Sequence, residues 1–208
     1  MSSIAVVAAT GRTGRIIVER ALAAGHAVTA VARNPRALGL RHPRLTVKEG
    51  DVLHPSSLRD ALTGHDAVIS ALGSSGLGPT TVYSEGTAAI ISAMAPTHRL
   101  VVLSSAGLAV PDGAGLGTRI LSGVLKRVMR HPYADMTRME RLLADSDLDW
   151  TAVRPTRLTD DPGTGRPRVS IGATGVVGSS TTRADLAAYV LTALDDPATH
   201  RIPVEISS

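Results

Sequence analysis

The sequence predicts an α/β fold, in which a doubly wound parallel sheet is covered by helices on both faces. Two observations support this prediction. Short apolar runs alternate with helical stretches along most of the 208 residues, which is typical of strand–helix–strand units with right-handed crossovers. Several of these runs are apolar throughout, as expected for strands that are buried on both faces.

The elements follow from this pattern in chain order. The predicted strands are the apolar runs 4–9, 27–32, 45–48, 67–71, 100–104, 151–153 and 203–206. The predicted helices are the stretches 15–24, 57–62, 81–95, 138–144 and 183–194. Two glycine-rich stretches, 111–118 and 160–167, follow predicted strands and are expected to be mobile loops at a substrate site. We expect a single domain over residues 1–208, with these small loops towards its C-terminal half.

The most informative segment is IAVVAATGRTG, residues 4–14, in which a strand leads through a glycine turn into a helix. Such a turn points free N–H groups and the positive end of a helix dipole at a ligand, so it predicts a phosphate site. Gly11 lets the backbone approach a pyrophosphate, and Gly14 lets the helix pack closely on the strand. Ala8 stands where a first glycine is usual. Within the alternating pattern, this turn predicts a Rossmann-type dinucleotide-binding domain.

Composition argues against several other classes of site and partner. The chain has no cysteine and its seven histidines are dispersed, so we expect no disulfide and no metal site. The net charge is +4, but the arginines are scattered and aromatic residues make up 2% of the chain, which argues against nucleic acid as a partner. We also expect no membrane partner and a cytoplasmic location, since the sequence has neither a signal-peptide pattern nor an apolar span.

Further motifs give the chain a family resemblance. ATGRTG, VARNP, GDV, DAVISALG, VVLSSAG and LDWTAVRP follow one another along the sequence. Together they resemble the atypical short-chain dehydrogenases that bind NAD(P)H. Within that family, the segment ALGSSGLGPTTVYSEG is most similar to biliverdin reductase B, also known as NADPH flavin reductase. The other motifs are shared with NmrA-like regulators. The resemblance implies a nicotinamide cofactor and a small-molecule acceptor, and we expect a monomer or a weak homodimer.

The resemblance also assigns roles to residues at the ends of the strands. The pyrophosphate would lie on five residues of the glycine turn: Thr10, Gly11, Arg12, Thr13 and Gly14. Residues expected beside the adenine, or where the fourth strand meets the cofactor, are Asp51, Val52, Leu72 and Gly73. Residues expected around the nicotinamide are Ser104, Ser105, Arg154 and Pro155. Among these, Ser105 is the implied catalytic hydroxyl.

The choice of cofactor depends on the end of the second strand. A carboxylate there would hold the ribose of NAD, but Arg33 and Arg36 follow that strand instead. A guanidinium binds phosphate oxygens in a bidentate way, so these arginines suit a 2′-phosphate. The expected cofactor is therefore NADP(H).

One absence bears on the chemistry. Conventional short-chain dehydrogenases use Tyr-x-x-x-Lys as a proton donor, but Tyr133 is followed four residues later by Thr137, and neither lysine of the chain stands in register. We therefore expect an acceptor that takes hydride without an enzyme-bound acid, such as FMN, FAD, a bilin or a quinone. A non-catalytic NADP-sensing regulator like NmrA is the alternative. A sugar-nucleotide or isomerase-type relative is disfavoured by the missing pair, and a hydrolase by the lack of G-x-S-x-G.

Overall fold

The computed structural model describes residues 1–108, 123–172 and 177–208. The predicted loop 111–118 lies outside these residues. The labelled helices are α1 (Arg12–Ala23), α2 (Arg59–Leu62), α3 (Ser84–Ala93), α4 (Arg130–Ala144) and α5 (Arg183–Leu194), and residues 123–128 are also helical. The strands are β1 (Ser3–Val7), β2 (Ala27–Ala32), β3 (Leu45–Glu49), β4 (Ala67–Ser70), β5 (Arg99–Leu103), β6 (Asp149–Pro155), β7 (Arg157–Thr159), β8 (Arg168–Ile171), β9 (Ser180–Thr182) and β10 (Ile202–Ser207).

Eight strands form one sheet in the order β3-β2-β1-β4-β5-β6-β10-β8. All neighbours are parallel except β8, which runs antiparallel to β10. The chain builds outwards from β1 to β3 and then returns to the other side of β1 with β4. Ligands bind at such a reversal, outside the carboxyl ends of the strands. The predicted doubly wound Rossmann fold is confirmed, and it places a crevice above β1 and β4.

Apolar side chains cover both faces of the sheet. On one face α1 packs against α5, with Ile17 and Leu186 fully buried between them and the strands. On the other face α3 packs against α4, where Ile90 and Met139 are buried. Helix α1 follows β1 and so begins at the carboxyl edge of the sheet, and α5 follows β9, which pairs with β7 just beyond the end of β6. The starts of these two helices therefore lie side by side above the crevice.

The structure differs from the predicted elements at several boundaries. Helix α4 begins at Arg130 rather than at residue 138, and α2 is a single turn preceded by a 3₁₀ turn, Pro55–Ser57. Strands β7, β8 and β9 are additional to the predicted strands, and β7 pairs with β9 outside the main sheet. They are three or four residues long and largely polar, so no apolar run marks them.

The loop 160–167 is held at its centre rather than free. The carboxylate of Asp185, in the first turn of α5, accepts hydrogen bonds from the N–H groups of Thr164 and Gly165, each at 2.9 Å. It also accepts one from Ser208 Oγ at 2.7 Å. Burial would raise the pKa of Asp185, but these hydrogen bonds outweigh it and hold the pKa well below its ordinary value of 3.8. The loop, the start of α5 and the last residue of the chain are thereby joined.

The Asp185 carboxylate should make the stability of the fold depend on pH. Because its folded pKa is lowered, Asp185 stabilises the fold fully above about pH 4, and the contribution is lost as the pH falls towards the folded pKa. We expect Asp185→Asn to lower the free energy of unfolding at neutral pH by about 2 kcal/mol, the scale of hydrogen bonds to a charged group. Denaturant unfolding of both proteins between pH 7 and acid pH checks this. Two stability curves that stay parallel below pH 4 would contradict it.

Candidate cofactor and acceptor site

A cavity of about 800 Å³ lies at the carboxyl edge of the sheet, above the strand reversal. That volume is within the range of small-molecule and cofactor sites. Eleven of the predicted site residues line the cavity: Thr10, Gly11, Arg12, Thr13, Arg33, Asp51, Val52, Leu72, Gly73, Ser104 and Pro155. They come from turns after β1, β2, β3, β4, β5 and from the end of β6. The fold thus brings together segments that are far apart in the sequence.

The glycine turn has the geometry of a phosphate cradle. Gly11 is the N-cap of α1, and no side chain in the described part of the chain caps that helix, so its first N–H groups face the cavity. A Cβ on Gly14 would lie 2.3 Å from the Ala8 carbonyl oxygen. Gly14 is therefore required for the packing of α1 on the turn, as predicted, and does not itself line the cavity. This turn suits the pyrophosphate of a dinucleotide.

The turn also explains why a glycine is usual at position 8. Ala8 has a φ of 60°, in the left-handed region. That conformation costs an L-residue roughly 1–2 kcal/mol, whereas the extra freedom of glycine in the unfolded chain costs about 0.5–1 kcal/mol. The chain therefore carries local strain at its phosphate turn.

We expect Ala8→Gly to raise the free energy of unfolding by about 0.5–1 kcal/mol, the difference between these two terms. Cofactor affinity should change little, because Ala8 contributes to the turn through its backbone. Denaturant unfolding measures the first effect and calorimetry the second. A clear loss of stability in Ala8→Gly would refute the strain at this position.

The adenosine end of the cavity combines an arginine and a carboxylate. Arg33 and Asn34 follow β2 and line the cavity, whereas Arg36 lies outside the lining; both arginines are exposed. The N–H of Leu53 donates to the Asp51 carboxylate at 3.0 Å, and this hydrogen bond, more than the neighbouring His54 and Arg33 charges, lowers the pKa of Asp51. Of the two arginines predicted to bind the 2′-phosphate, Arg33 lines the cavity and Arg36 does not.

The other end of the cavity is built around Ser104. Its hydroxyl donates to Glu140 Oε1 at 2.6 Å. Both oxygens of Glu140 accept from Arg154, with Nε 3.0 Å from Oε1. The Arg154 and Glu140 side chains are only 14% and 15% exposed. Burial alone would lower the pKa of Arg154, but hydrogen bonding to Glu140 raises it overall. The hydroxyl proton of Ser104 points at Glu140, so the hydroxyl oxygen presents its lone pairs to the cavity.

Two residues predicted at the nicotinamide are placed differently. Ser105 lies outside the cavity lining, and its Oγ accepts from the Gly107 N–H at 3.2 Å. Arg154 faces Glu140 instead of the cavity, because alternate residues of β6 point to opposite faces of the sheet. Of the two adjacent serines, Ser104 therefore lines the cavity and Ser105 does not, and Arg154 is linked to Ser104 through Glu140.

Other lining residues were missed by the sequence analysis. Tyr83, at the start of α3, lines the cavity and its hydroxyl oxygen accepts from the Ser74 N–H at 3.0 Å. Arg183, at the start of α5, also lines it. Tyr83 lies within the segment ALGSSGLGPTTVYSEG, but no role was assigned to it from the sequence. For Arg183, only the fold shows that α5 begins beside α1. Tyr133 is buried under the turn Ala106–Leu108 and does not line the cavity.

The remaining expectations concern metals and membranes. Within residues 1–108, 123–172 and 177–208, no three histidine or acidic side chains are grouped as metal ligands would be. In the same ranges, no helix is long and apolar enough to cross a membrane.

The chain is similar to several known proteins along nearly its whole length. It is 27% identical over 205 residues to the uncharacterized protein YwnB of Bacillus subtilis (strain 168), covering 93% of this chain and 92% of YwnB. A short-chain dehydrogenase/reductase from Veillonella parvula DSM 2008, solved in complex with NADP, superposes with a TM-score of 0.80 at 19% identity, covering 100% and 95% of the two chains.

A third relative comes from Streptococcus pneumoniae TIGR4, and NADH-flavin reductase activity has been suggested for it. It has a TM-score of 0.78 and 23% identity, with both chains covered fully. At these identities the two solved structures show a shared fold. Residues 8–197 match the family described as NAD(P)H-binding. Since this match spans most of the chain and the fold agrees with it, the protein belongs to the NAD(P)H-binding family and has its Rossmann fold.

Proposed function

We propose that the protein is an NADPH-dependent reductase that transfers hydride to a flavin, or to a similar planar conjugated acceptor such as a bilin or a quinone. The observation that carries the proposal is the hydrogen bond from Ser104 to Glu140. It leaves the Ser104 hydroxyl, at the end of the cavity where the nicotinamide is expected, without a proton to give. This arrangement suits an acceptor that takes hydride from the cofactor and its proton from water.

The cofactor assignment draws on the two other parts of the cavity. The uncapped start of α1 suits a pyrophosphate, and Arg33 suits a 2′-phosphate. The Veillonella parvula neighbour contains NADP, which supports the same choice. When bound, the reduced nicotinamide supplies the hydride.

The residues of this chain contribute positioning. Ser104 can accept a hydrogen bond from an amide of the cofactor or the acceptor, and Glu140 and Arg154 fix the orientation of its hydroxyl. Tyr83 and Leu158 line the cavity with largely apolar surface against which a planar ring can pack. Catalysis would then come mainly from proximity and orientation.

The direct test measures NADPH oxidation by the purified protein with FMN, FAD or a quinone. Turnover with at least one of these acceptors supports the proposal. Tight NADPH binding without turnover of any of them would overturn it and favour an NADP-sensing regulator. Turnover of simple ketones in preference to flavins would also contradict it, because that reaction needs an enzyme-bound acid.

The cofactor preference has its own test. We expect Arg33→Ala to weaken NADPH binding by roughly 1.5–3 kcal/mol, the scale of a hydrogen bond to a charged group, and to leave NADH binding nearly unchanged. Arg36→Ala is the matched control, since Arg36 is exposed like Arg33 but lies outside the lining. Calorimetric titration of both cofactors provides the measurement. An equal loss for NADPH and NADH would remove Arg33 from the 2′-phosphate site.

A further inference from the structure

We propose that Arg183 is a second pyrophosphate-binding arginine, paired with Arg12, and that the Asp160 carboxylate competes with the pyrophosphate for both guanidinium groups. The inference rests on the proposed binding of NADP(H) along the glycine turn. It adds a side chain that binds the diphosphate and a carboxylate that lowers the affinity of the protein for the diphosphate.

The geometry that carries the proposal is a carboxylate shared by two arginines at the cavity wall. Asp160 Oδ2 lies 2.8 Å from Arg12 Nη1, and Asp160 Oδ1 lies 2.7 Å from Arg183 Nη1. Arg12 and Arg183 both line the cavity. The two guanidinium groups are thus spaced to hold two oxygens of one anion between them, beside the free N–H groups of α1.

Packing explains why these two arginines meet. They occupy the first positions of α1 and α5, which contact each other along one face of the sheet. The Arg183 side chain is 9% exposed, so its conformation is already restricted by its surroundings. A restricted guanidinium loses little further freedom when it binds phosphate. It still has N–H donors beyond the one that contacts Asp160.

The Asp160 side chain resembles the proposed ligand in its negative charge and its hydrogen-bond-accepting oxygens. We expect it to be held less firmly than a diphosphate would be. Asp160 is 61% exposed and Arg12 is 72% exposed. An ion pair at such exposure is screened by water and contributes little to stability. A diphosphate carries more charge and can reach both arginines and the helix N–H groups at once. It should therefore displace Asp160 from them.

The loop geometry limits what moves. Thr164 and Gly165 are fixed by the Asp185 carboxylate, and Gly163 packs closely on the start of α5, where a Cβ would lie 2.8 Å from Asp185 Oδ1. Displacement of Asp160 would therefore involve the first residues of the loop and leave its centre in place.

The experiment compares the affinity of four proteins for NADPH and for inorganic pyrophosphate by calorimetry: wild type, Asp160→Asn, Arg183→Gln and the double variant. Asp161→Asn is the matched control, because it removes the same charge from the exposed neighbouring residue. We expect Asp160→Asn to tighten both ligands about three- to tenfold and Asp161→Asn to change them less than about twofold. Arg183→Gln should weaken both about tenfold or more.

Adding Asp160→Asn to Arg183→Gln should tighten binding by a smaller factor than adding it to wild type. The reason is that Asp160 then contacts only Arg12 and no longer Arg183. Equal effects of Asp160→Asn and Asp161→Asn would overturn the competition, since they indicate a general charge effect. Unchanged affinity in Arg183→Gln, with an unchanged melting temperature, would overturn the role of Arg183. Wild-type protein that binds NADPH but reduces no acceptor would instead refute the proposed function and leave this inference standing.

Discussion

Gly14→Ala is expected to abolish measurable NADP(H) binding and to lower the free energy of unfolding by about 1–3 kcal/mol, the cost of overpacking a close contact. The added methyl would lie 2.3 Å from the Ala8 carbonyl oxygen and 3.1 Å from the Ala9 Cα. Both atoms belong to the backbone, so no side chain can rotate away. The start of α1 must move off the turn, and the N–H groups that suit the pyrophosphate move with it.

Two other glycines of the same cavity provide graded controls. A Cβ on Gly11 would lie 3.2 Å from the Ala8 carbonyl oxygen, and a Cβ on Gly73 would have no described atom within 4 Å. We expect the loss of stability to follow the order Gly14→Ala, Gly11→Ala, Gly73→Ala. Circular dichroism and denaturant unfolding give the stability, and calorimetry gives the affinity. A Gly14→Ala protein with wild-type affinity would show that this turn is not the phosphate site.

The phosphate turn is the part of the site that sequence reasoning could describe most fully. Its residues are consecutive, and each has a local physical reason: Gly14 for packing, Gly11 for close approach, and Ala8 as a departure that the structure places in the left-handed region. The doubly wound parallel sheet could also be predicted, because apolar runs separated by helical stretches are typical of strand–helix–strand units. In such a sheet the carboxyl ends of the parallel strands lie at one edge, so the residues that follow them come close together.

The nicotinamide end could not be predicted in the same way. Ser104, Glu140 and Arg154 are 36 and 14 residues apart along the chain, and none of them stands in a local pattern that marks a contact. The resemblance placed four residues around the nicotinamide: Ser104, Ser105, Arg154 and Pro155. Ser104 and Pro155 line the cavity, whereas Ser105 and Arg154 do not. Which of two adjacent serines faces the cavity depends on how β5 ends, and Arg154 is turned away by the alternation of β6.

The short polar strands were missed for a related reason. Strands β7 and β9 have three residues each and form a pair outside the main sheet. Their residues include Arg157, Thr159 and Ser180, which do not form an apolar run. They nevertheless lead to Asp160 and Arg183, because Asp160 directly follows β7 and Arg183 directly follows β9. The elements with the weakest sequence signal therefore position the ion pair beside the glycine turn.

Glu140→Leu is expected to lower the free energy of unfolding by about 3–5 kcal/mol, because it leaves the Arg154 guanidinium buried without its partner. The two side chains are largely buried, and Arg154 donates to both oxygens of Glu140. Glu205 is also close to Arg154, and burial raises the pKa of Glu205. A buried carboxyl of this kind is a poor replacement for Glu140, since it resists ionisation.

The matched test is a double-mutant cycle. Glu140→Leu combined with Arg154→Met replaces both charges by apolar groups of similar size, so the double variant should be more stable than Glu140→Leu alone. Ser104→Ala should cost only about 1 kcal/mol, because Glu140 keeps its hydrogen bonds to Arg154. Denaturant unfolding measures wild type, Glu140→Leu, Arg154→Met, the double variant and Ser104→Ala. If the single losses simply add in the double variant, the two side chains do not act as a pair.

The same variants separate structure from catalysis. In Glu140→Leu the Ser104 hydroxyl no longer has Glu140 to accept its proton, so it can turn towards the cavity as a donor. We expect kcat/KM with a flavin to fall in Ser104→Ala and in Glu140→Leu, since both lose the oriented lone pairs, whereas Ser105→Ala should keep most of the activity. The Ser105 hydroxyl oxygen accepts from the Gly107 N–H, outside the cavity lining. The rates are measured at a temperature where every variant is folded. If kcat/KM falls strongly in Ser105→Ala alone, the hydroxyl that matters for hydride transfer is that of Ser105, and the Glu140–Arg154 pair has no part in catalysis.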